Sequence, residues 1–246
     1  RRTAGVYTVF ELPESLEAHL DSLGKNEQKN RRKYELRLLR KDYAVRVQMI
    51  REPLAAVQAA FERFVEQHTR QWQADGQPGH FGAWPRALEY HRALLPAMVA
   101  ERRARLMEIW AGDELVAGQY AFAHGNRWFW ELPSRAIGEQ WNRYRLGPTA
   151  LVVMFGEAIA EGVRRVEGGL GHYDYKLRLG AREYPVYNLW FRRPGGAGLR
   201  VRFGCLLGLQ EALRLVLHKV WYRRVQPRLP PRWRRSQSRL WLRHDF

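Results

Sequence analysis

The chain has 246 residues, of which 46% are hydrophobic, so it suits one large folded domain or two small ones and is not a disordered segment. A single cysteine, Cys205, excludes an intramolecular disulfide and a cysteine-based metal site. The 42 Lys and Arg residues against 25 Asp and Glu give a net charge of +17. This excess indicates an anionic partner, such as nucleic acid, an anionic membrane or a phosphate-bearing cofactor.

The first 100 residues are predicted to be mainly helical. The hydrophobic spacing predicts helices over about residues 16–23, 26–41, 53–72 and 85–100, and the alternation in "VRVQMI" predicts a strand over 45–50. Gly24 ends the first helix and Pro53 opens the third. His68 lies on the apolar face of that third helix, so we expect a core histidine rather than a catalytic one.

Short strands with turn signals follow from Arg105. Gly112-Asp113 and Gly125-Asn126 mark two hairpin turns and therefore three antiparallel strands. The pattern then predicts an apolar helix from Pro148 to Glu161, strands over 163–167 and 184–191, and a short helix between those strands that starts near Gly171.

The last part of the chain is strongly basic, because residues 192–246 carry 14 basic and 2 acidic residues. After a linker over 192–200, an apolar stripe from Phe203 to Tyr222 predicts an amphipathic helix, and its flanking arginines are typical of attachment to an anionic membrane surface. In the tail that follows, Trp233 and Trp241 lie among arginines and could stack on bases, as in a nucleic-acid-binding module. Both interpretations stay open.

Five stretches of the chain resemble the GNAT acyltransferases, in the branch of the FemAB peptidoglycan enzymes and the BioF2-like acetyltransferase domains. They are "KNEQKNRRKYELRLLRKD", "FERFVEQHTRQW", "DELVAGQYAFAHGNRWFWEL", "RLGPTALVVMFGEAIAEGVRRVEGG" and "GHYDYKLRLGA", and they span about Ser15 to Phe191. The resemblance implies an α/β (α+β) fold with a central, mostly antiparallel mixed sheet flanked by helices. It also implies a GNAT-like domain over 1–195, as the second half of a longer tandem chain, and a basic helical extension over 196–246.

The Gly-containing turn "YRLGPT" is where this family holds the pyrophosphate of an acyl-CoA, because a helix N-terminus there presents unpaired N–H groups. The family's loop is Arg or Gln, two residues, Gly, one residue, then Gly or Ala. This chain keeps only Gly147 and has Tyr144 and Thr149 at the first and last of those positions. By resemblance, the residues that bind acetyl-CoA or another acyl-CoA are Arg143, Arg145, Gly147, Thr149 and Trp130.

The segment "GHYDYK" crowds ionisable and hydroxyl groups just after Glu167. Tyr175 and Lys176 stand where the resembling family keeps a Tyr-Lys pair. There Lys176 would hold a phosphate or stabilise the oxyanion, and Tyr175 would protonate the leaving thiolate. Glu167 or Asp174 would be the base, because a carboxylate beside apolar strands can have a raised pKa. The alternative is that Asp174 and Lys176 are solvated surface groups and that the tyrosines only pack.

These observations favour an N-acyltransferase that moves an acyl group, acetyl in the simplest case, from acyl-CoA to an amine on a sugar, peptide or cell-envelope precursor. The transfer would be direct, because no nucleophilic Cys or Ser motif stands out. The alternatives are an aminoacyl-tRNA donor, since some FemAB-like relatives use one, and a nucleic-acid-binding module.

The sequence also predicts what surrounds the enzyme. No His, Cys or carboxylate set has the spacing of metal ligands. No window approaches the roughly 18 apolar residues of a membrane span. We therefore expect a cytoplasmic protein without a bound metal, and residues 203–246 could place it peripherally on the inner membrane face.

Overall fold

A seven-stranded sheet forms the centre of the protein. The computed structural model describes residues 2–33, 35–77, 79–82, 86–191 and 195–216, and also 220, 224, 225, 228 and 229. The strands are β1 (Arg2–Glu11), β2 (Val45–Ile50), β3 (Ala104–Ala111), β4 (Glu114–His124), β5 (Arg127–Arg135), β6 (Arg165–Leu170) and β7 (Arg182–Asn188). Their spatial order is β2-β3-β4-β5-β6-β1-β7. Only the β5–β6 pair is parallel among the described strands, so the predicted mostly antiparallel mixed sheet is confirmed.

Nine α-helices accompany the sheet in the described part of the chain. They are α1 (Leu16–Asp21), α2 (Lys25–Lys33), α3 (Glu35–Asp42), α4 (Leu54–Ala74), α5 (Ala87–Ala100), α6 (Glu139–Asn142), α7 (Leu146–Ala160), α8 (Asp174–Arg178) and α9 (Ala197–Leu215). Pro53 precedes α4, where a missing N–H leaves no intrahelical bond unmade. The buried residues of α4 recur at three- and four-residue intervals, as the sequence predicts: Val57, Ala60, Phe61, Phe64 and His68.

Helices cover both faces of the sheet. α4 and α5 pack on one face, where Phe61 and Tyr120 belong to the same apolar core. α1, α3 and α7 lie on the other face, above a larger core that contains Phe10, Trp128 and Phe155. The sheet therefore has an apolar layer on each side, which satisfies the requirement that both of its faces be buried.

The first strand lies inside the sheet, and the sequence analysis did not predict it. β1 pairs antiparallel with β6 on one side and with β7 on the other. Thr8, Val9 and Phe10 are all fully buried. A strand buried on both faces lacks the alternation of polar and apolar residues that identifies a half-buried strand, so periodicity alone does not find it.

The basic segment expected as a helix over 26–41 is helical over Lys25–Lys33 and Glu35–Asp42. The last helix differs from the prediction. α9 begins at Ala197, within the stretch expected as a linker, and Gly196 precedes it in an extended conformation. Trp233 and Trp241 lie outside the described residues. Within the described residues, no helix combines the length and the apolar character needed to cross a membrane.

Candidate functional site

The sheet opens between its two parallel strands. β5 and β6 pair only where Arg127–Phe129 meets Arg165–Glu167. On its other edge β5 carries a bulge: Ala121 pairs with Trp130 and Tyr120 with Leu132, so Glu131 is the extra residue. A bulge bends its strand and increases the local twist. β5 therefore separates from β6 beside Trp130.

A cleft of about 670 Å³ occupies this opening. One wall comes from α4, the 3₁₀ turn His80–Gly82 and α5, and the other walls come from β5, β6, the start of α7 and the segment before and within α8. Its lining includes Gln71, Trp72, His80, His91, Trp130, Glu131, Leu132, Pro133, Ser134, Leu170, Tyr173, Tyr175 and Lys176. A largely apolar lining with a few polar groups is typical of a small-molecule site.

A second cavity of about 460 Å³ adjoins the cleft at the start of α7. The two share four lining residues, Arg135, Gly147, Pro148 and Tyr175. Arg145 and Arg178 also line the second cavity, with Glu27 as the carboxylate among its lining residues. Three guanidinium groups around one small cavity favour a ligand that carries phosphate groups.

The first turn of α7 supplies backbone donors at this junction. Arg145 precedes the helix in the left-handed region, with φ of 48°. Leu146 and Gly147 then provide N–H groups that have no intrahelical acceptor, whereas Pro148 has no N–H. A methyl group on Gly147 would meet nothing closer than Cδ of Arg135 at 3.9 Å, so the backbone there is open to a ligand.

Two of the residues that the resemblance assigned to acyl-CoA do not reach either cavity. Arg143 forms an ion pair with the carboxylate of Asp42, and its guanidinium also donates to the hydroxyl of Tyr144 at 2.7 Å. Thr149 is buried, and its hydroxyl contacts the backbone carbonyls of Tyr144 and Arg145 at 3.0 and 2.9 Å. Thr149 thus stabilises the turn from beneath. Arg135 and Arg178, which the sequence analysis did not single out, line the cavity instead.

Lys176 is a buried ammonium group in the wall of the cleft, with only 4% of its surface exposed. Its Nζ donates to the carbonyl of Gly168 at 2.6 Å and to Oγ1 of Thr8 at 3.3 Å. The ammonium also lies 4.6 Å from the ring centroid of Tyr173 and 5.4 Å from that of Trp130. Burial lowers the pKa of Lys176 from 10.5 to about 8, although the charge of Glu183 opposes this shift.

Tyr175 lines both cavities at the point where they meet. Burial is the main cause that raises the pKa of its phenol, and nearby Tyr173 adds to the shift. Tyr175 therefore keeps its proton at neutral pH and can act as a hydrogen-bond donor or as an acid. The structure thus brings together Trp130, Gly147, Arg145, Tyr175 and Lys176 of the predicted site.

Glu131 is a cleft residue that the sequence analysis missed. It is the extra residue of the bulge in β5, and it lines the cleft beside Trp130. Its side chain reaches solvent at the mouth of the cleft, but protein surrounds much of the carboxyl group, and this loss of hydration raises its pKa. A charged residue between the apolar residues Trp130 and Leu132 was the available signal.

The two carboxylates predicted as bases lie elsewhere. Glu167 is buried outside the cleft lining, and its carboxylate lies 2.8 Å from Nε of Arg165 and 3.5 Å from Arg127. Asp174 is exposed, and its carboxylate lies 3.3 Å from the ring of His172, which also contacts Glu183 at 2.7 Å. Because each is an ion-pair partner away from the cleft, neither has the geometry of a base for a bound amine.

His68 is fully buried on α4, in agreement with the prediction of a core position. Its Nδ1 lies 2.8 Å from the carbonyl of Pro133, and its Nε2 lies 3.1 Å from Nδ1 of His80. His80 lines the cleft. In the described part of the chain, no group of three or more His, Cys, Asp or Glu residues could hold a metal ion.

Part of the chain is similar to a known protein family. Residues 26–177 match the family model of the acetyltransferase (GNAT) domain. No curated protein sequence matches the chain significantly.

Solved structures of other proteins align with this chain. That of FemX aligns with a TM-score of 0.55 at 10% identity, over 72% of this chain and 59% of that one. A C-terminal DUF2156 domain from Agrobacterium fabrum aligns with a TM-score of 0.48 at 10% identity, over 74% of this chain and 58% of that one. L-PGS from Bacillus licheniformis aligns with a TM-score of 0.40 at 11% identity, over 69% of this chain and 47% of that one. The similarity to FemX concerns the fold alone, and the other two TM-scores are too low to carry an argument. The chain spans less than two thirds of the length of each of these proteins.

Proposed function

The chain belongs to the acetyltransferase (GNAT) domain family, and we propose that it transfers an acyl group from an acyl-CoA to an amine. The observation that carries this proposal is the pair of adjoining cavities at the gap between β5 and β6. One cavity is basic and the other is mostly apolar, which suits a donor with a phosphate end and a long uncharged arm. The acceptor we propose is an amine on a sugar, peptide or cell-envelope precursor.

The donor would extend from the basic cavity into the cleft. Arg135, Arg145 and Arg178 would hold its phosphates, with help from the N–H groups at the start of α7. Its amide arm would pass Pro148 and Trp130 to place the thioester near Tyr175 and Lys176. These residues fit such a donor even though the family's second loop glycine is Thr149 here, because Thr149 lies beneath the turn.

Direct attack by the amine then requires few groups. The thioester carbonyl gains negative charge, which Lys176 stabilises with the N–H that Gly168 and Thr8 leave available. Tyr175 donates its phenolic proton to the leaving thiolate and recovers it as the new amide nitrogen loses one. Glu131 attracts the acceptor as an ammonium ion to the cleft. We thus assign no catalytic role to Glu167 or Asp174.

Gly147→Asp tests the donor site. We expect at least about tenfold weaker binding of acetyl-CoA in calorimetric titration at about 150 mM salt, because the added carboxylate would face the phosphates. Gly147→Ala is the matched control, since its methyl group would have room. Equal binding by Gly147→Asp and the native chain would contradict the assignment of the phosphates to this turn.

The same titration separates the donor hypotheses. Absence of acetyl-CoA binding, together with salt-sensitive binding of tRNA, would favour an aminoacyl-tRNA donor, for which the net charge of +17 is suited. Salt-sensitive binding of RNA of any kind would instead favour a nucleic-acid-binding module.

We further propose that residues 1–195 form the transferase domain and that residues 196–246 attach it to the cytoplasmic face of an anionic membrane. Four exposed leucines of α9 recur at helical spacing on one side: Leu199, Leu206, Leu209 and Leu213. Arg200 and Arg202 near the start of α9 are exposed and can meet lipid phosphates.

Leu206→Glu tests this membrane attachment, with Val201→Glu as the matched control. Both side chains are 65% exposed, but Leu206 lies on the apolar stripe and Val201 lies on another side of α9. We expect Leu206→Glu to weaken binding to phosphatidylglycerol-containing vesicles about tenfold or more, because one buried leucine contributes roughly 1.5–3 kcal/mol. Val201→Glu should bind nearly as the native chain does. Equal losses in the two variants, or no vesicle binding by the native chain, would refute the attachment.

A further inference from the structure

Glu183 lies beside the residues that hold the ammonium group of Lys176. It is on β7, directly opposite Thr8 of β1, and residues that are directly opposite in an antiparallel pair point to the same face of the sheet. Thr8 in turn accepts a hydrogen bond from Nζ of Lys176 at 3.3 Å. The carboxylate of Glu183 is therefore a neighbour of the ammonium group, and its negative charge opposes the fall in the pKa of Lys176 that burial causes.

His172 fixes the position of the Glu183 carboxylate. Its Nδ1 lies 2.7 Å from Oε1 of Glu183, and its Nε2 lies 3.3 Å from the carboxylate of Asp174. An ionised carboxylate only accepts, so His172 makes both contacts as an imidazolium with a proton on each nitrogen. The hydrogen bond to Glu183 is the main cause that raises the pKa of His172. Gly171, with φ of 101°, donates its N–H to the carbonyl of Val6 at 2.9 Å, which anchors this turn on β1.

We infer that Glu183 is a positioning residue for the acyl transfer, because it supplies the negative charge that keeps Lys176 in its ammonium form. His172 and, through it, Asp174 hold the Glu183 carboxylate in place. This inference rests on the proposed function, in which a charged Lys176 stabilises the negative charge on the thioester oxygen. Only 4% of Lys176 is exposed, so water does little to keep it charged and a nearby carboxylate must do more.

Other ionisable groups share the cleft with Lys176. Two lie beside it in the chain and four lie on other walls: Tyr173, Tyr175, His80, His91, Glu131 and Arg135. The positive charge of Arg135 disfavours the ammonium form of Lys176, whereas a charged Glu131 favours it. Burial is the largest cause that lowers the pKa of Lys176, and Glu183 is the charge that acts against it. The contribution of Glu183 can therefore be measured by removing its charge alone.

Carbon-13 NMR of the lysine side chains tests this charge without any substrate. The Cε signal of Lys176, assigned by its absence in Lys176→Met, reports the loss of the proton. We expect its titration midpoint to fall by about one pH unit in Glu183→Gln, which keeps an acceptor for His172 but lacks the charge. Glu183→Asp keeps the charge and should titrate nearly as the native chain does. Glu11→Gln, which removes an exposed carboxylate at the end of β1, is the matched control. Equal midpoints in Glu183→Gln and the native chain would overturn the inference.

Thiol release from acetyl-CoA, with methylamine as the probe acceptor, tests the role in transfer. The rates of the native chain and Glu183→Gln are compared at each pH, because the deprotonation of methylamine affects both equally. A midpoint lower by about one pH unit predicts nearly equal rates at about pH 6 and an about tenfold lower rate in the variant at about pH 9. A loss by the same factor at every pH would reveal a merely structural effect and overturn the role. No release by the native chain would overturn the proposed acyl transfer, whereas the lysine titration decides the charge of Lys176 independently.

Discussion

The free energy of unfolding of the native protein is expected to rise by about 3 kcal/mol between about pH 8 and pH 10.5, and Lys176→Met should not show this rise. Burial lowers the pKa of Lys176 from 10.5 in the unfolded chain to about 8 in the fold. Between these values the unfolded state binds the proton and the folded state has released it. The free energy of unfolding therefore increases with pH across this window, and below it the buried charge costs stability.

Denaturant unfolding at several pH values, on the native chain and on Lys176→Met, measures this effect. The difference between the two free energies is the informative quantity, because most other titrating groups cancel in it. Loss of the hydrogen bond to Gly168 shifts the variant at every pH by a similar amount and does not change the slope. Lys25→Met, which removes an exposed lysine, is the matched control for a lost charge. A difference that stays flat from pH 8 to 10.5 would show that the fold does not perturb Lys176.

Gly168→Ala is expected to lower the free energy of unfolding by about 1–3 kcal/mol, as overpacking of a close contact does. A methyl group on Gly168 would lie 2.8 Å from Oγ1 of Thr8, 2.9 Å from the ring of Phe10 and 3.1 Å from the backbone carbonyl of Thr8. The backbone oxygen cannot rotate away. β1 would have to shift relative to β6, and the shift would move both acceptors of Lys176.

Thermal and denaturant unfolding of Gly168→Ala measure this cost, and Gly24→Ala is the matched control. A methyl group on Gly24 would meet nothing within 4 Å, so the same chemical change should have little effect there. We also expect the pKa of Lys176 to differ between Gly168→Ala and the native chain. Unchanged stability of Gly168→Ala would mean that β1 and β6 are not held as closely as described.

The elements with strong local signals were predictable from the sequence. The stripe of α4, the hairpin turns of β3–β5 and the Gly-Pro start of α7 each have a local chemical cause, and the membership in the GNAT family is confirmed. β1 was not predicted, because Val9 and Phe10 lie on opposite faces of the strand and both are buried, so polar and apolar residues do not alternate there. Its place is decided by partners more than 150 residues away.

The site was predictable only in part, because the spacing of residues along the chain does not determine which neighbours their side chains contact in the fold. Tyr175 and Lys176 lie in the cleft, whereas Arg143 turns to Asp42 and Glu167 to Arg165. Glu131 lies in the cleft because of a bulge in β5, and the sequence marks it only as a charged residue between Trp130 and Leu132. The contact between His68 and His80 depends on how the 3₁₀ turn packs on α4.

The position of β1 also bears on how the protein is made. Thr8 bonds to Gly169, 161 residues further along the chain. Synthesis at roughly 5–20 residues per second would leave β1 waiting on the order of 8–30 seconds for its neighbours. During that interval both hydrogen-bonding edges of an apolar strand are open to chaperones or to other nascent chains. Contacts of such long sequence separation also slow folding. Thr8, which accepts a hydrogen bond from Lys176, is thus translated well before the strand residues with which it packs.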